Sequence, residues 1–424
     1  MTQSRIVTHR SPNPATDASD PAQALSTGSR GERAGVTRKS RPGAVLALAF
    51  GHGAADFYPG YLPSVLPYLL EKMGLSLTTV GLLASLQSFS TSLVQPALGY
   101  LVDARQPRPW AAWGLLAAAL LLGAMTLAPN VTVLAILIVL GGLGVALYHP
   151  QGAAMVARLS NGRAGTAMSI FATGGSIGHA VGPLAAVIVI ENWGLESLAL
   201  LAVPGVLVAW VVYGVMREPL NEMAETRRPV SLRASLAGCG WRLALLLAVM
   251  TLRAGATVGV STMLPIYLEA KGLAIAVGGT AIFIYRLGGA VGVVFGGPLS
   301  DRIGRKLVIV ASFLLAMPFL YMFFHTSGLV RMLHLALAST ILTSSTPVNT
   351  VMAQEVMPRT AAVASGLMMG VGWALGSLSV TLIGFLADRH GIEATLPVVA
   401  LGLVAAGLVL SLFLPRTAPS RPSG

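Results

Sequence analysis

Residues 66–75 read LPYLLEKMGL, and residues 264–273 read LPIYLEAKGL. The two stretches lie 198 residues apart, and that offset recurs. Gly81 falls on Gly279, GYLVD (99–103) on GPLSD (297–301), and Gly174 and Gly178 on Gly372 and Gly376. A constant offset shared by helix ends, a loop and a pair of glycines marks a duplicated unit.

The units sit in a chain of 424 residues that is 54% hydrophobic and only 10% charged, with a mean hydropathy of +0.74. A soluble domain carries roughly 25% charged residues, so this chain cannot cover a water-facing surface and belongs in a bilayer. Glycine is frequent, at 48 residues, and aromatics are sparse, at 6%. That suits closely packed membrane helices and not an outer-membrane barrel with its aromatic girdles.

Apolar runs of about 20 residues, each long enough to span a bilayer, are predicted at 44–70, 79–101, 110–128, 131–157, 164–189 and 196–216. They resume at 242–268, 277–300, 307–324, 329–353, 361–386 and 393–414. The expected fold is an all-α membrane protein with twelve transmembrane helices in two six-helix bundles. Six spans per copy keep both copies in the same orientation, as parallel repeats about an axis along the membrane normal. Such a pair encloses a central cavity, and rocking of the halves gives alternating access. The boundaries are a disordered cytoplasmic tail (1–43), an N-terminal bundle (44–216), a cytoplasmic linker (217–241), a C-terminal bundle (242–414) and a second tail (415–424).

The net charge of +12 would suggest nucleic acid in a soluble chain. Here it reads as a topology signal, and no nucleic-acid partner is expected. Of the 28 Lys and Arg residues, 22 fall in the tails and in loops or span ends on the same side, four in loops or span ends on the opposite side and two, Arg253 and Arg286, deep within spans. By the positive-inside rule both termini are cytoplasmic. The single Cys239 excludes an internal disulfide. No phosphate-binding Gly-rich loop, zinc-spaced cluster or nucleophile–base set is present. ATP-driven pumping, a cofactor and an enzyme are therefore not expected. Convergence of His52, His149 and His179 on a metal has little support from one carboxylate and three scattered histidines, so no metal is expected.

Asp56, in LAFGHGAADFYPGYLPSVLP (48–67), is the one acid placed deep in a span. A carboxylate at mid-membrane costs about 2.5 kcal/mol or more unless it finds a partner or a cavity. His52 lies one turn earlier on the same face, and a His–Asp pair can hold or relay a proton. Pro59, Pro63 and Pro67 are expected to loosen the outer half of this span. Arg253 maps through the repeat to residue 55, which would set it across the central axis from Asp56. Arg286 also lies within an apolar run. Either arginine can bind a phosphate, phosphonate or carboxylate, or form an ion pair with no substrate role. His149 precedes Pro150 within span four, beside Gln151, and His179 lies on span five. With the arginines they make up the expected substrate cavity.

The loop GGPLSDRIGRK (296–306) and its partner GYLVDARQPR (99–108) resemble the cytoplasmic signature loop of the major facilitator superfamily. The resemblance implies gating roles for Gly297, Asp301, Arg302 and Arg305, and for Gly99, Asp103 and Arg105. The first copy departs from the pattern at Ala104 and Pro107. Gly178, Gly182 and Pro183, in GGSIGHAVGPL (174–184), resemble the superfamily's antiporter motif; ordinary small-residue packing would account for them too. Together with ALYHPQGAAMVARL (146–159), these stretches look like the fosmidomycin-resistance branch.

That likeness implies proton-coupled export of a small drug-like or anionic compound by a monomer in a bacterial-type inner (plasma) membrane. The alternatives are proton-coupled uptake of a small organic anion, or a non-transporting sensor on the same scaffold.

Overall fold

A computed structural model describes residues 42–95, 97–98, 109–159, 164–217, 240–357 and 361–415. Among these residues the structure is helical, without strands. The first half holds α1 (Pro42–Met73), α2 (Leu77–Ser88, continued by a π-helical turn, Phe89–Leu93), α3 (Trp110–Gly123) and α4 (Val131–Leu159). It continues with α5 (Ala164–Trp193) and α6 (Ala202–Arg217). The second half holds α7 (Gly240–Ala270), α8 (Ile275–Ile303), α9 (Arg305–His325), α10 (Gly328–Thr343) and α11 (Ser345–Val356). It ends with α12 (Ala361–Gly366), α13 (Gly372–His390) and α14 (Ile392–Ser411).

Among the described residues nine helices are long and apolar enough to cross a membrane. Large apolar side chains such as Trp113, Trp210, Phe295 and Leu329 point outward. In water that surface would aggregate; in lipid it is the solvated face.

Pro59, Pro63 and Pro67 all lie within α1, which runs for 32 residues through them. Their spacing of four places every lost backbone bond on one face, and in a membrane bundle neighbouring helices compensate for such losses. The run expected as one span at 329–353 is covered by two consecutive helices, α10 and α11, which meet at Ser344, itself in helical backbone conformation (φ −56°, ψ −29°).

The repeat is visible as packing. A Cβ on Gly178 would meet the carbonyl oxygen of Gly53 at 1.8 Å, and one on Gly376 would meet that of Thr251 at 2.9 Å. The first pair becomes the second under the 198-residue shift, so α5 lies on α1 as α13 lies on α7. Contacts between the halves obey the same operator. Gly81 of α2 abuts Thr381 of α13, and Gly279 of α8 abuts Pro183 of α5. Exchanging the halves converts one pair into the other, as a pseudo-twofold axis requires.

Candidate functional site

Asp56 lies between two imidazoles. His52, one turn earlier on α1, brings Nε2 to 3.3 Å from Oδ2. His149, on α4, brings Nε2 to 3.1 Å from Oδ1. The three side chains are 12–23% exposed, so the carboxylate is mostly withdrawn from water and its charge is met locally. Each imidazole is tethered at its other nitrogen. His52 Nδ1–H donates to the Phe171 carbonyl at 2.7 Å, and His149 Nδ1–H donates to the Val145 carbonyl at 2.9 Å.

The walls come from packing. The His52 ring stacks on Phe171 with centroids 4.1 Å apart and meets His149 edge-on at 5.0 Å. Tyr148 is fully buried, and its hydroxyl donates to the Leu48 carbonyl at 2.6 Å. Gly175 makes room on the α5 side, where a Cβ would lie 2.5 Å from His52 Cε1 and 2.7 Å from Asp56 Oδ2. The facing atoms of His52, Asp56 and His149 lie within 4.8 Å of one another.

The remaining expected residues scatter. His179, on α5, has a buried Nε2 with no hydrogen-bond partner and lies within electrostatic reach of Asp56 and Arg286. Arg286, on α8, donates from Nη2 to Ser261 Oγ at 3.2 Å, and its buried Nε has no partner. Arg253 is 1% exposed and bonds to Thr346 and Met250 inside its own half. Gln151 accepts from the Ala111 N–H at 2.6 Å and so caps the first turn of α3.

Gly178 and Gly182 press α5 against the Gly53 and Phe57 carbonyls of α1. In the second loop Arg305 donates to Glu355 at 2.7 Å and to Asp301 at 3.3 Å. Arg302 is exposed, and Gly297 has open space around it. Gly99, Asp103 and Arg105 lie outside the described residues.

Two features escape sequence reasoning. One is the direct His149–Asp56 pairing, which depends on how α4 is rotated against α1. The other is Asp388, at the end of α13. Its carboxylate accepts from the backbone N–H groups of Leu77 at 2.8 Å and Thr78 at 2.9 Å. It thus caps the first turn of α2 from the opposite half of the chain.

A multi-pass helical bundle with a twofold repeat and, among the described residues, an acid enclosed in its core suits a secondary transporter. A profile of the Major Facilitator Superfamily matches residues 47–381, and the chain belongs to that superfamily. It is 28% identical over 394 residues to the fosmidomycin resistance protein of Escherichia coli (strain K12), covering 90% of this chain and 95% of that one. Its fold is similar to that of the nucleoside transporter NupG, with a TM-score of 0.73, 14% identity, and coverage of 88% and 98% of the two chains. It is also similar to a bacterial homologue of the human lysosomal transporter Spinster in an inward-facing, occupied conformation, with a TM-score of 0.72, 16% identity, and coverage of 90% and 99%.

Proposed function

We propose that the chain is a proton-coupled efflux antiporter for a small drug-like or anionic compound, working as a monomer by alternating access in a bacterial-type plasma membrane. Both termini are cytoplasmic. Asp56, assisted by His52 and His149, takes protons from the outer side, and proton loading favours release of the substrate. Arg286 and His179 supply positive charge and hydrogen-bond donors to the substrate cavity. The 296–306 loop, through Asp301 and Arg305, steadies the cytoplasmic ends of the helices as the halves rock.

The observation that carries this reading is the carboxylate held between two imidazoles in the membrane core. Intramembrane acids are costly and mark proton and substrate pathways. The resistance name of the Escherichia coli relative supports export.

A second reading, uptake by symport, draws on Arg286, which has no carboxylate partner among the described residues. An anion bound at Arg286 would gain affinity as nearby Asp56 became protonated, so anion and proton would travel together.

One experiment separates the two. The protein is expressed in a hypersensitive host and scored across compound classes, fosmidomycin included, beside Asp56→Asn. Resistance that is lost in the variant supports proton-driven export. Sensitisation, or growth on a new carbon source, supports uptake. Undiminished resistance in folded Asp56→Asn removes the proton assignment.

A further inference from the structure

We infer that the Asp56 site holds two exchangeable protons, with His149 as the second carrier beside His52; this rests on Asp56 being the proton site proposed above. A carbonyl oxygen only accepts hydrogen bonds. The contacts of His52 Nδ1 with Phe171 O at 2.7 Å and of His149 Nδ1 with Val145 O at 2.9 Å therefore require a hydrogen on each Nδ1. A neutral imidazole protonated there bears a bare lone pair on Nε2. Both Nε2 atoms face Asp56, at 3.3 Å and 3.1 Å, and an ionised carboxylate also only accepts.

Without added hydrogens, each contact sets lone pair against lone pair in a site largely shut off from water. Each becomes a hydrogen bond when one proton enters it. The two contacts use different oxygens, Oδ2 and Oδ1, so a single proton cannot serve both. The count is two whether each proton rests on nitrogen or on oxygen.

The consequence is a change of sign. The empty triad carries −1 and the filled triad +1. Arg286 reaches it from α8 in the other half, within electrostatic range of Asp56. His179, on α5, and Tyr148, on α4, also lie within electrostatic range of Asp56. From α7, Arg253 is engaged by Thr346 and Met250 instead. One proton would only cancel the attraction between the triad and Arg286, whereas two turn it into repulsion between the halves. The imidazoles are pinned by their carbonyl bonds and, for His52, by the stack on Phe171. The Asp56 carboxylate is the member left to move.

The test is nitrogen NMR of [15N]histidine-labelled full-length protein in nanodiscs, stepped from about pH 9 to about pH 5 to bracket the ordinary histidine range. The two signals are assigned by their loss in His52→Gln and His149→Gln. If a variant does not fold, 13C-carbonyl labelling of phenylalanine and valine assigns the wild-type signals through Phe171 and Val145. The expected result is Nδ1–H on both histidines at every pH and a gain of one proton in each Nε2 contact, two per protein.

A bare Nδ1 on either ring overturns the inference, as does a proton in only one contact, or a stoichiometric transition metal in the purified protein. A single proton with gradient-driven transport still lost in Asp56→Asn overturns this inference and leaves the proton-coupled reading standing. Two protons with transport indifferent to the pH gradient supports the inference and overturns that reading.

Discussion

Gly178 packs on the backbone of Gly53 so closely that a methyl group would sit 1.8 Å from the carbonyl oxygen. The same helix pair places Gly174 on Ala49 and Gly182 on Phe57, one glycine per turn. This seam holds α5 against α1 and brings Phe171 and Gly175 to His52 and Asp56. Here a backbone approach positions the chemistry, and the antiporter-like spacing of these glycines is also a packing surface.

Gly178→Ala should therefore be severe. The obstacle is backbone, which cannot rotate aside, so the cost should reach at least the upper end of the overpacking range, about 3 kcal/mol. Gly297→Ala, with nothing within 4 Å of the new methyl, serves as the control. Thermal unfolding in detergent should show a large drop for the first and almost none for the second. Equal melting temperatures would refute the close seam.

At low pH, with a proton in the contact, His149→Ala should destabilise by about 2 kcal/mol, below the 3–5 kcal/mol of a fully buried broken pair because these groups are partly exposed. Adding Asp56→Asn should recover part of the loss, since the uncompensated charge is then gone. A double-mutant cycle on unfolding measures the coupling. Additive effects would show that the 3.1 Å contact carries no energy.

The two arginines should part company. Arg253 is buried among its own half's residues, so Arg253→Met should keep transport and stay within about 1.5 kcal/mol of wild type, as volume-conserving apolar replacements of buried charges often do. Arg286→Met should lose transport at least tenfold while remaining folded. Uptake or resistance assays on matched membrane levels decide between them, and the reverse ranking would move the cavity's charge to Arg253.

Asp388→Asn removes the charged cap that one half places on α2 of the other. Capping interactions are worth about 1 kcal/mol, so the equilibrium between closed and open forms on that face should shift about fivefold. Accessibility of a cysteine introduced in the 74–76 loop to a membrane-impermeant thiol reagent reads the shift. Unchanged labelling would mean that the cap breaks at no cost.

Arg305 meets Glu355 and Asp301 at an exposed helix end. Arg305→Ala should cost no more than about 1 kcal/mol, and salt should erase most of it. A larger, salt-insensitive loss in unfolding experiments would indicate a buried role that the exposed carboxylates do not suggest.

Composition, hydropathy and the 198-residue repeat are properties of the chain itself. They determined that the protein is helical, membrane-embedded and duplicated, and they singled out Asp56, because an isolated acid in an apolar run is visible without a structure. The His52 pairing was legible for the same reason, since one helical turn is a fixed local distance. The rest depends on how helices are rotated and docked. Gln151 caps α3, Arg253 turns into its own half, His149 closes on Asp56, and Asp388 caps α2 from more than 300 residues away. No local periodicity encodes these partners, because a helix shows its neighbours only the face that close packing selects, and here glycine seams made that selection.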